Sequence, residues 1–206
     1  MDYIISIERQ YGSGGREIGR RLASDLGIAF YDSELLALAA KKSGFVEEVF
    51  ELADERPTNS FLYSLAVGIR YSGIYYNNEN ALTPDKIFQI QSGVIRQVAQ
   101  EGPCVIVGRC SDYILRAEKN LIKVFLYADI ETRVSNVMKL KEVSEKNAKD
   151  LIQKTDKKRS GYYSFYTSKK WGDVENHHIS IDTGVLGTER SVELLKQYIG
   201  IRAEEC

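Results

Sequence analysis

The chain has 206 residues, of which 43% are hydrophobic and 28% are charged, and its formal net charge is −1. This composition is typical of a soluble globular fold, and the length suits one compact domain with a small insertion, so a disordered chain is excluded. The near-zero charge gives no overall attraction to nucleic acid or to an anionic membrane, so a bound anion has to be held by a local cluster of donors and cations.

The first elements read strand, loop and helix. Tyr3 to Ile7 is a short apolar and β-branched run, a glycine cluster follows, and apolar residues then recur at helical spacing until Gly27, which reads as a C-cap. A second short strand, Ile28 to Tyr31, ends at Asp32 and completes a βαβ unit. This order predicts a parallel sheet with helices on both faces.

Residues 33–101 contain no convincing strand and predict a helical insertion. Tyr71 to Asn80 is rich in Tyr and Asn and reads as a loop. The predicted helices are Leu35 to Ala40, Val46 to Leu52, Ser60 to Ile69 and Lys86 to Ala99.

The second half returns to the strand and helix alternation. Cys104 to Val107 and Leu121 to Tyr127 are continuous apolar runs, as expected for the buried centre of a parallel sheet, and Ile179 to Ile181 supplies a last strand. We therefore predict an α/β fold with a parallel sheet of about five strands and helices on both faces. The helices predicted after these strands are Asp112 to Ala117, Ile130 to Leu140 and Glu189 to Ile199.

A basic helical segment at 141–172 separates the last two strands, and we expect it to protrude. Aromatic residues interleave with its cations, so they would either close over a base or pack against the partner in a homodimer. These aromatic residues are Tyr162, Tyr163, Phe165, Tyr166 and Trp171.

The cysteines and the hydropathy exclude other classes of protein. Cys104, Cys110 and Cys206 are odd in number and lack CxxC spacing, which disfavours a zinc site and a disulfide framework. No stretch reaches the roughly 18 apolar residues of a membrane span, and the start lacks the apolar core of a signal peptide. We expect a reduced, cytoplasmic protein.

The strongest functional signal is the turn ERQYGSGGREIG between the first strand and the first helix. Its glycines permit φ > 0 and let backbone N–H groups face inward, which forms an anion-holding nest aimed by the helix dipole. The alternative is a tight turn that binds nothing, but the position at a strand-to-helix junction favours a phosphate site. The predicted cofactor-binding residues are Gln10, Tyr11, Gly12, Ser13, Gly14, Gly15, Arg16 and Glu17.

The turn departs from the strict phosphate-loop signature G-x-x-x-x-G-K-[ST]. Aligning Gly14 with the second glycine puts Arg9 at the first glycine, Gly15 at the lysine and Arg16 at the hydroxyl residue. The usual lysine is therefore missing. Either Arg16 or Arg9 has to supply the positive charge, since a guanidinium group can hold phosphate bidentately.

Four segments together resemble the cytidylate kinase-like family: ISIERQYGSGGREIGRRLASDLGIAFYD, VIVGRCSDYIL, KVFLYADIETRV and HISIDTG. The resemblance spans nearly the whole chain. It implies one P-loop kinase domain over 1–206, an acceptor-binding insertion at 33–101 and a lid at 141–172. It also implies ATP and Mg²⁺ as cofactors, and a small-molecule nucleotide of the cytidylate type as the phosphoryl acceptor.

The resemblance extends to residues that bind the acceptor. The pair Gly108 and Arg109 resembles the glycine and arginine that contact the acceptor phosphate, although Val107 stands where those enzymes have an acid. A solvated strand-end cation is the alternative for Arg109. Asp32 and Ser33 resemble the pair that opens the acceptor-binding segment, and a helix N-cap is the alternative there.

The lid and the helix before it supply further candidates. Asp156 and Arg159, with Lys154, resemble the basic-acidic-arginine series of cytidylate kinase lids, and Arg133 matches an arginine of the helix after the fourth strand. Together with Arg16 and Arg109 they form the predicted catalytic set. The alternative for each lid cation is a solvated helix face.

Two glutamates are candidates for holding Mg²⁺. Glu8 lies at the end of the first strand and Glu17 in the first helical turn, and hard carboxylates suit this ion. Glu17 has an alternative role, since an acid near a helix N-terminus is favoured by the dipole.

Two other functions stay open at this stage. The missing lysine, hydroxyl and strand-end acid, at Gly15, Arg16 and Val107, favour a nucleotide- or anion-binding module that has lost catalysis. The sequence of the insertion at 33–101, which would select the acceptor, does not indicate which acceptor binds. A kinase for a non-nucleotide metabolite is therefore a further alternative.

Overall fold

The computed structural model describes residues 3–32 and 84–204. In the described ranges one sheet has the strand order β2-β3-β1-β4-β5, and every neighbouring pair is parallel. This confirms the prediction of an α/β fold with a parallel sheet of about five strands. The strands are β1 (Ile4–Arg9), β2 (Ala29–Tyr31), β3 (Cys104–Val107), β4 (Leu121–Tyr127) and β5 (Ile179–Asp182).

Helices connect these strands and cover both faces of the sheet. Of the four helices predicted in the insertion, the one at Lys86 to Ala99 is formed as α2, whereas the other three and the loop at 71–80 lie outside the described residues. A short 3-10 helix, Val174–Asn176, precedes β5. The α-helices are α1 (Gly15–Leu26), α2 (Pro84–Gln100), α3 (Ser111–Ile114), α4 (Ile130–Lys141), α5 (Glu145–Thr167) and α6 (Thr183–Glu204).

The central strand β1 is buried on both faces, as its apolar run predicted. Ile5 and Ile7 pack on one face with residues of α1 and α6 such as Leu22. Ile4 packs on the other face with Val94 and Ile95 of α2. Both faces are covered because crossover helices lie on either side of a parallel sheet.

Strand β1 extends beyond the predicted end at Ile7. Glu8 and Arg9 pair with Phe125 and Leu126 of β4, so both charged residues belong to the strand. The apolar pattern missed them because they lie where the strand leaves the hydrophobic core. This extension brings two charges to the carboxyl edge of the sheet.

Two helix boundaries also differ from the predictions. Helix α3 ends at Ile114 instead of Ala117. Helix α6 begins at Thr183, directly after β5, and Gly187 interrupts it with φ 70°. The glycine accepts this left-handed conformation without the steric cost that a Cβ would add.

The segment predicted as a lid comprises the end of α4 and helix α5. The prediction that it protrudes from the domain is wrong. The Tyr163 side chain of α5 is 2% exposed, and its hydroxyl donates a 2.7 Å hydrogen bond to Asp112 Oδ2. Ala148 and Ile152 of the same helix pack against Val137 of α4. These apolar and polar contacts hold α5 along the body of the domain.

Most aromatic residues of this segment pack within the chain. The Tyr166 ring stacks on Phe88 of α2 at 3.9 Å, with 5° between the ring planes. Trp171 contacts Phe125 edge-on. Phe165, in contrast, is 63% exposed. The interleaving of aromatic and basic residues thus marks a helix with one packed face.

No helix among residues 3–32 and 84–204 combines the length and the apolar character that crossing a bilayer requires.

The buried His177 predicts a dependence of stability on pH. Burial lowers its pKa, its Nδ1 lies 2.8 Å from Asp173 O, and its ring packs on Phe125. The unfolded chain, with a histidine pKa of about 6.5, therefore binds the proton more readily, and stability is lost as the pH falls below that value. In urea unfolding at about pH 7.5 and pH 5.5, the wild type should lose more free energy than His177→Gln. Parallel losses in the two proteins would contradict this.

Candidate functional site

The carboxyl ends of the five parallel strands lie at one edge of the sheet. β1 lies between β3 and β4, and the segment that leaves β1 at this edge is the glycine loop, residues 10–14. The connection after β1 leads to β2 on one side of the sheet, whereas the connection after β3 leads to β4 on the other side. In open α/β sheets such a switch point is where ligands bind.

The first part of the loop is tied to the sheet through Gln10. The backbone N–H of Gln10 donates to Leu126 O at 2.9 Å, and its side-chain Oε1 accepts from the Ala128 N–H at 3.2 Å. Ser13 Oγ donates to Gln10 O at 2.9 Å. Gln10, predicted to bind the cofactor, is therefore placed where it anchors the loop.

The loop carbonyls point towards neighbouring helices. Gly12 O accepts a 2.9 Å hydrogen bond from Asn136 Nδ2 of α4, and Ser13 O accepts a 2.7 Å bond from Thr183 Oγ1 of α6. Gly12 and Gly14 have φ of 85° and 77°, in the left-handed region that favours glycine. Within the loop itself, the Ser13 N–H donates to Gln10 O at 3.3 Å.

Three loop amides have no partner within the described part of the chain: those of Gly12, Gly14 and Gly15. The Tyr11 N–H, in contrast, donates to Asp156 Oδ1 at 2.8 Å. Gly14 is the N-cap of α1 and gives no side-chain cap, so the positive end of the helix dipole is uncovered. Unpartnered amides at a helix N-terminus are the arrangement by which proteins bind anions.

Three guanidinium groups gather beside this loop, from Arg9 of β1, Arg109 after β3 and Arg159 of α5. Arg159 Nη1 donates to Arg9 O at 2.8 Å. Burial, together with the neighbouring charges of Arg159 and Arg109, lowers the pKa of Arg9 to about 9. Burial is also the main cause that lowers the pKa of Arg159. Cations held together in this way are stabilised when an anion binds between them.

The turn that carries Arg109 has a rare backbone conformation. Gly108, Arg109 and Cys110 have φ of 80°, 62° and 56° in succession. The left-handed region costs a residue with a Cβ roughly 1–2 kcal/mol, and such strain clusters at ligand sites. Among the described residues, Arg109 forms no ion pair with a carboxylate. Its charge is thus available to a ligand.

Two buried carboxylates lie below the arginines. Glu8 is 4% exposed, its Oε2 lies 4.0 Å from Arg9 Nη1, and it accepts a 3.4 Å hydrogen bond from Trp171 Nε1. Burial raises the pKa of Glu8, and Asp112 raises it further, while Arg9 opposes the shift. Within residues 3–32 and 84–204, Glu8 Oε1 and Asp112 Oδ1 are both buried without a hydrogen-bond partner. Orphaned carboxylate oxygens of this kind call for a ligand that donates or carries positive charge.

The same two carboxylate oxygens are the candidates for binding Mg²⁺ at this site. Glu8 and Asp112 offer hard oxygens beside the arginine cluster, and Mg²⁺ commonly uses one or two carboxylates with substrate phosphates. Glu17 is exposed on α1, and Arg16 replaces the usual hydroxyl ligand. In the described residues no group of three acidic, histidine or cysteine side chains forms a cage for a metal ion. Glu8 and Asp112 therefore fit the ion, whereas Glu17 adds nothing to the fit.

The remaining predicted residues form two ion pairs at the borders of the site. Arg133 Nη1 lies 2.6 Å from Asp156 Oδ2, and the two side chains are 12% and 19% exposed. Arg16 Nε lies 2.6 Å from Asp32 Oδ2, with the Arg16 side chain 62% exposed and that of Asp32 6% exposed. Ser33 lies outside the described residues.

Asp112 was not predicted as a site residue, Tyr163 was predicted only as one of the interleaved aromatic residues, and Arg9 was an alternative to Arg16. Asp112 was read only as a helix start, although an acid three residues after the Gly108 and Arg109 pair was a signal for a second strand-end carboxylate. The link between Tyr163 and Asp112 had no sequence signal, because it joins two helices that are far apart along the chain.

Comparisons with known proteins agree with this arrangement. The model of the cytidylate kinase-like family matches residues 4–185. A crystal structure of an uncharacterized protein from Eubacterium ventriosum ATCC 27560 has 28% identity and a TM-score of 0.72, with 96% of this chain and 98% of that chain covered. No curated protein gives a significant sequence match.

Two kinases of known structure share the fold. A shikimate kinase from Bacteroides thetaiotaomicron has 14% identity and a TM-score of 0.55, with 97% of this chain and 99% of that chain covered. A gluconokinase from Sinorhizobium meliloti 1021 has 14% identity and a TM-score of 0.53, with 99% of this chain and 97% of that chain covered. The fold is that of the P-loop kinases, and the family match covers most of the chain, so this protein belongs to the cytidylate kinase-like family.

Proposed function

We propose that this protein transfers the γ-phosphoryl group of ATP to a small-molecule acceptor. The observation that carries the proposal is the grouping of the Arg9, Arg109 and Arg159 guanidinium groups beside a loop in which three amides have no partner in the described ranges. Arg159 Nη1 donates to Arg9 O at 2.8 Å, and its Cζ lies 5.5 Å from the centroid of the Tyr11 ring in the loop. Phosphoryl transfer needs positioning and charge neutralisation more than covalent help from the protein. This grouping supplies both.

The residues divide into a donor side and an acceptor side. The amides of Gly12, Gly14 and Gly15 hold the donor phosphates at the N-terminus of α1. Arg159 neutralises charge on the transferring group from α5, and Arg109 with Asp32 holds the acceptor. Glu8 and Asp112 would hold Mg²⁺, which supplies charge neutralisation and a template for the phosphate oxygens when it is bound. Helix α5 lies against the loop and limits access of water, which competes as an acceptor.

A nucleoside monophosphate of the cytidylate type is the acceptor we favour. Its support is membership of the cytidylate kinase-like family and the Gly108 and Arg109 pair. A hydroxyl-rich metabolite is the second candidate, because the buried oxygens of Glu8 and Asp112 can accept hydrogen bonds from hydroxyl groups. Proteins named as shikimate kinase and gluconokinase share the fold, which is consistent with this candidate.

A third candidate is a nucleotide-binding module without catalysis. It is favoured by the departures at Gly15, Arg16 and Val107 from the usual phosphate-loop kinase pattern. The module and the kinase differ in one measurable respect, because only the kinase forms ADP in proportion to a phosphorylated acceptor.

The acceptor is tested by a coupled assay for ADP formation with Mg²⁺ and ATP. The panel contains CMP, dCMP, UMP, AMP, shikimate and gluconate, and a reaction without acceptor measures background ATP hydrolysis. We expect CMP or dCMP to raise the rate well above that background. Turnover with shikimate or gluconate alone selects the metabolite kinase. Calorimetric ATP binding without turnover on any acceptor selects the binding module, and no ATP binding rejects the proposal.

A further inference from the structure

The Arg9 side chain lies across the start of helix α1. Arg9 is the last residue of β1, and its side chain is 19% exposed. Its Cβ and Cγ lie 2.7 Å and 2.8 Å from the point where a Cβ on Gly15 would stand. A Cβ built on Gly108 would collide with the Arg9 guanidinium group, whose Nη1 is the nearest atom to that position. The side chain thus runs beside the loop, from α1 to the turn after β3.

Backbone conformation does not explain the glycine at position 15. Gly12 and Gly14 have positive φ, whereas Gly15 is a helical residue outside the left-handed region. Glycine is a poor helix former compared with alanine, so the position has a local cost. The space that a side chain would need is filled by Arg9, at separations that carbon atoms do not adopt without a shift. The position of the Arg9 side chain therefore explains why residue 15 is a glycine.

The two positions have opposite occupants in the usual phosphate loop, where glycine comes first and lysine follows the second glycine. We propose that Arg9 and Gly15 have exchanged these roles: Arg9 supplies the cation that binds the β- and γ-phosphates of the nucleotide, and Gly15 lacks a side chain so that Arg9 can lie there. A guanidinium group suits this task because it binds two phosphate oxygens through a planar fork.

The alternative cation, Arg16, has a different placement. Its Nε is bound to Asp32 Oδ2 at 2.6 Å, and its side chain is 62% exposed. Arg9 is instead surrounded by the charges of Arg159, Glu8 and Arg109 beside the loop. The stem of Arg9 therefore lies beside Gly15 at the start of α1, and its mostly buried guanidinium group lies at the turn after β3.

The choice of ATP as the ligand depends on the proposed function, and calorimetry with a non-hydrolysable ATP analogue tests it. The proteins are the wild type, Arg9→Met, Gly15→Lys and the double variant Arg9→Gly/Gly15→Lys. Arg9→Met keeps an apolar stem and removes the charge, so we expect binding about 100-fold weaker. Gly15→Lys should be similarly impaired because both side chains compete for one space.

The double variant restores the usual order of glycine and lysine, so it should bind at least about tenfold more tightly than either single variant. Wild-type affinity in Arg9→Met, or a double variant no better than the singles, would overturn the role of Arg9. Absence of binding by the wild type rejects the proposed function instead.

The exchange also predicts a coupling that needs no nucleotide. Gly15→Ala should lower the melting temperature in the wild-type background, because its Cβ collides with Arg9. In the Arg9→Gly background the same change should be neutral or stabilising, because the collision is gone and alanine favours the helix. Equal shifts in both backgrounds would overturn the proposal. If Arg9→Gly does not fold, Gly15→Ala is compared in the wild type with Gly161→Ala, whose Cβ meets no atom of the described residues within 4 Å. A similar effect of these two changes is then the contradicting result.

Discussion

Replacing Gly12 by alanine should weaken ATP binding by at least about 100-fold and lower the free energy of unfolding by about 2 kcal/mol. The new Cβ would lie 2.7 Å from the backbone oxygen of Arg133, and Gly12 has φ 85°. A backbone atom cannot swing aside as the end of a flexible side chain can. The loop would have to move, and its free amides would then no longer converge on a phosphate.

Two further glycines separate the collision from backbone strain. Gly14→Ala meets its nearest atom at 3.9 Å but has φ 77°, so it tests the left-handed conformation alone. Gly161→Ala has neither a close contact nor a positive φ and should stabilise α5 by roughly 0.5–1 kcal/mol. Titration calorimetry measures the loss of ATP affinity, and urea unfolding measures the loss of unfolding free energy. Both losses should be largest for Gly12→Ala, smaller for Gly14→Ala and absent for Gly161→Ala. Equal affinity in Gly12→Ala and wild type would show that the loop amides do not bind the nucleotide.

Replacing Asp156 by alanine should cost about 3 kcal/mol of stability and about 100-fold in turnover. Asp156 Oδ1 accepts from the Tyr11 N–H at 2.8 Å, and Oδ2 lies 2.6 Å from Arg133 Nη1. The carboxylate therefore joins α5 to the loop and to α4. Its removal leaves the Arg133 side chain, 12% exposed, without its counter-charge. It also frees α5, which carries Arg159, from the loop.

The matched variants use the same residue and the same helix. Asp156→Asn keeps an oxygen that can accept from Tyr11 but loses the charge opposite Arg133, so its loss should be intermediate. Lys149 forms an exposed pair with Glu145 one turn apart on α5, and Lys149→Ala should match the wild type. Urea unfolding and steady-state turnover measure both properties. An Asp156→Ala protein as stable and active as Lys149→Ala would contradict the link between the loop and α5.

Local sequence features were enough to predict most of the sheet. The runs at Cys104–Val107 and Leu121–Tyr127 formed β3 and β4 with the predicted bounds, because a strand buried on both faces has to be apolar throughout. The glycine loop was also found from sequence, because positive φ at Gly12 and Gly14 requires that residue type. The end of β1 was missed, since Glu8 and Arg9 join the strand through pairing with β4.

The sequence by itself determined the fold class, the order of strands and helices in the described ranges, and the position of the glycine loop. These features follow from apolar periodicity and glycine conformation, which act between near neighbours. The tertiary structure alone decided that Arg9 fills the space beside Gly15, that Asp156 binds the loop, and that Glu8 and Asp112 are buried with orphaned oxygens. Each of these contacts joins residues that sheet register and helix packing bring together. Periodicity along the chain does not predict them because the partners are far apart in sequence.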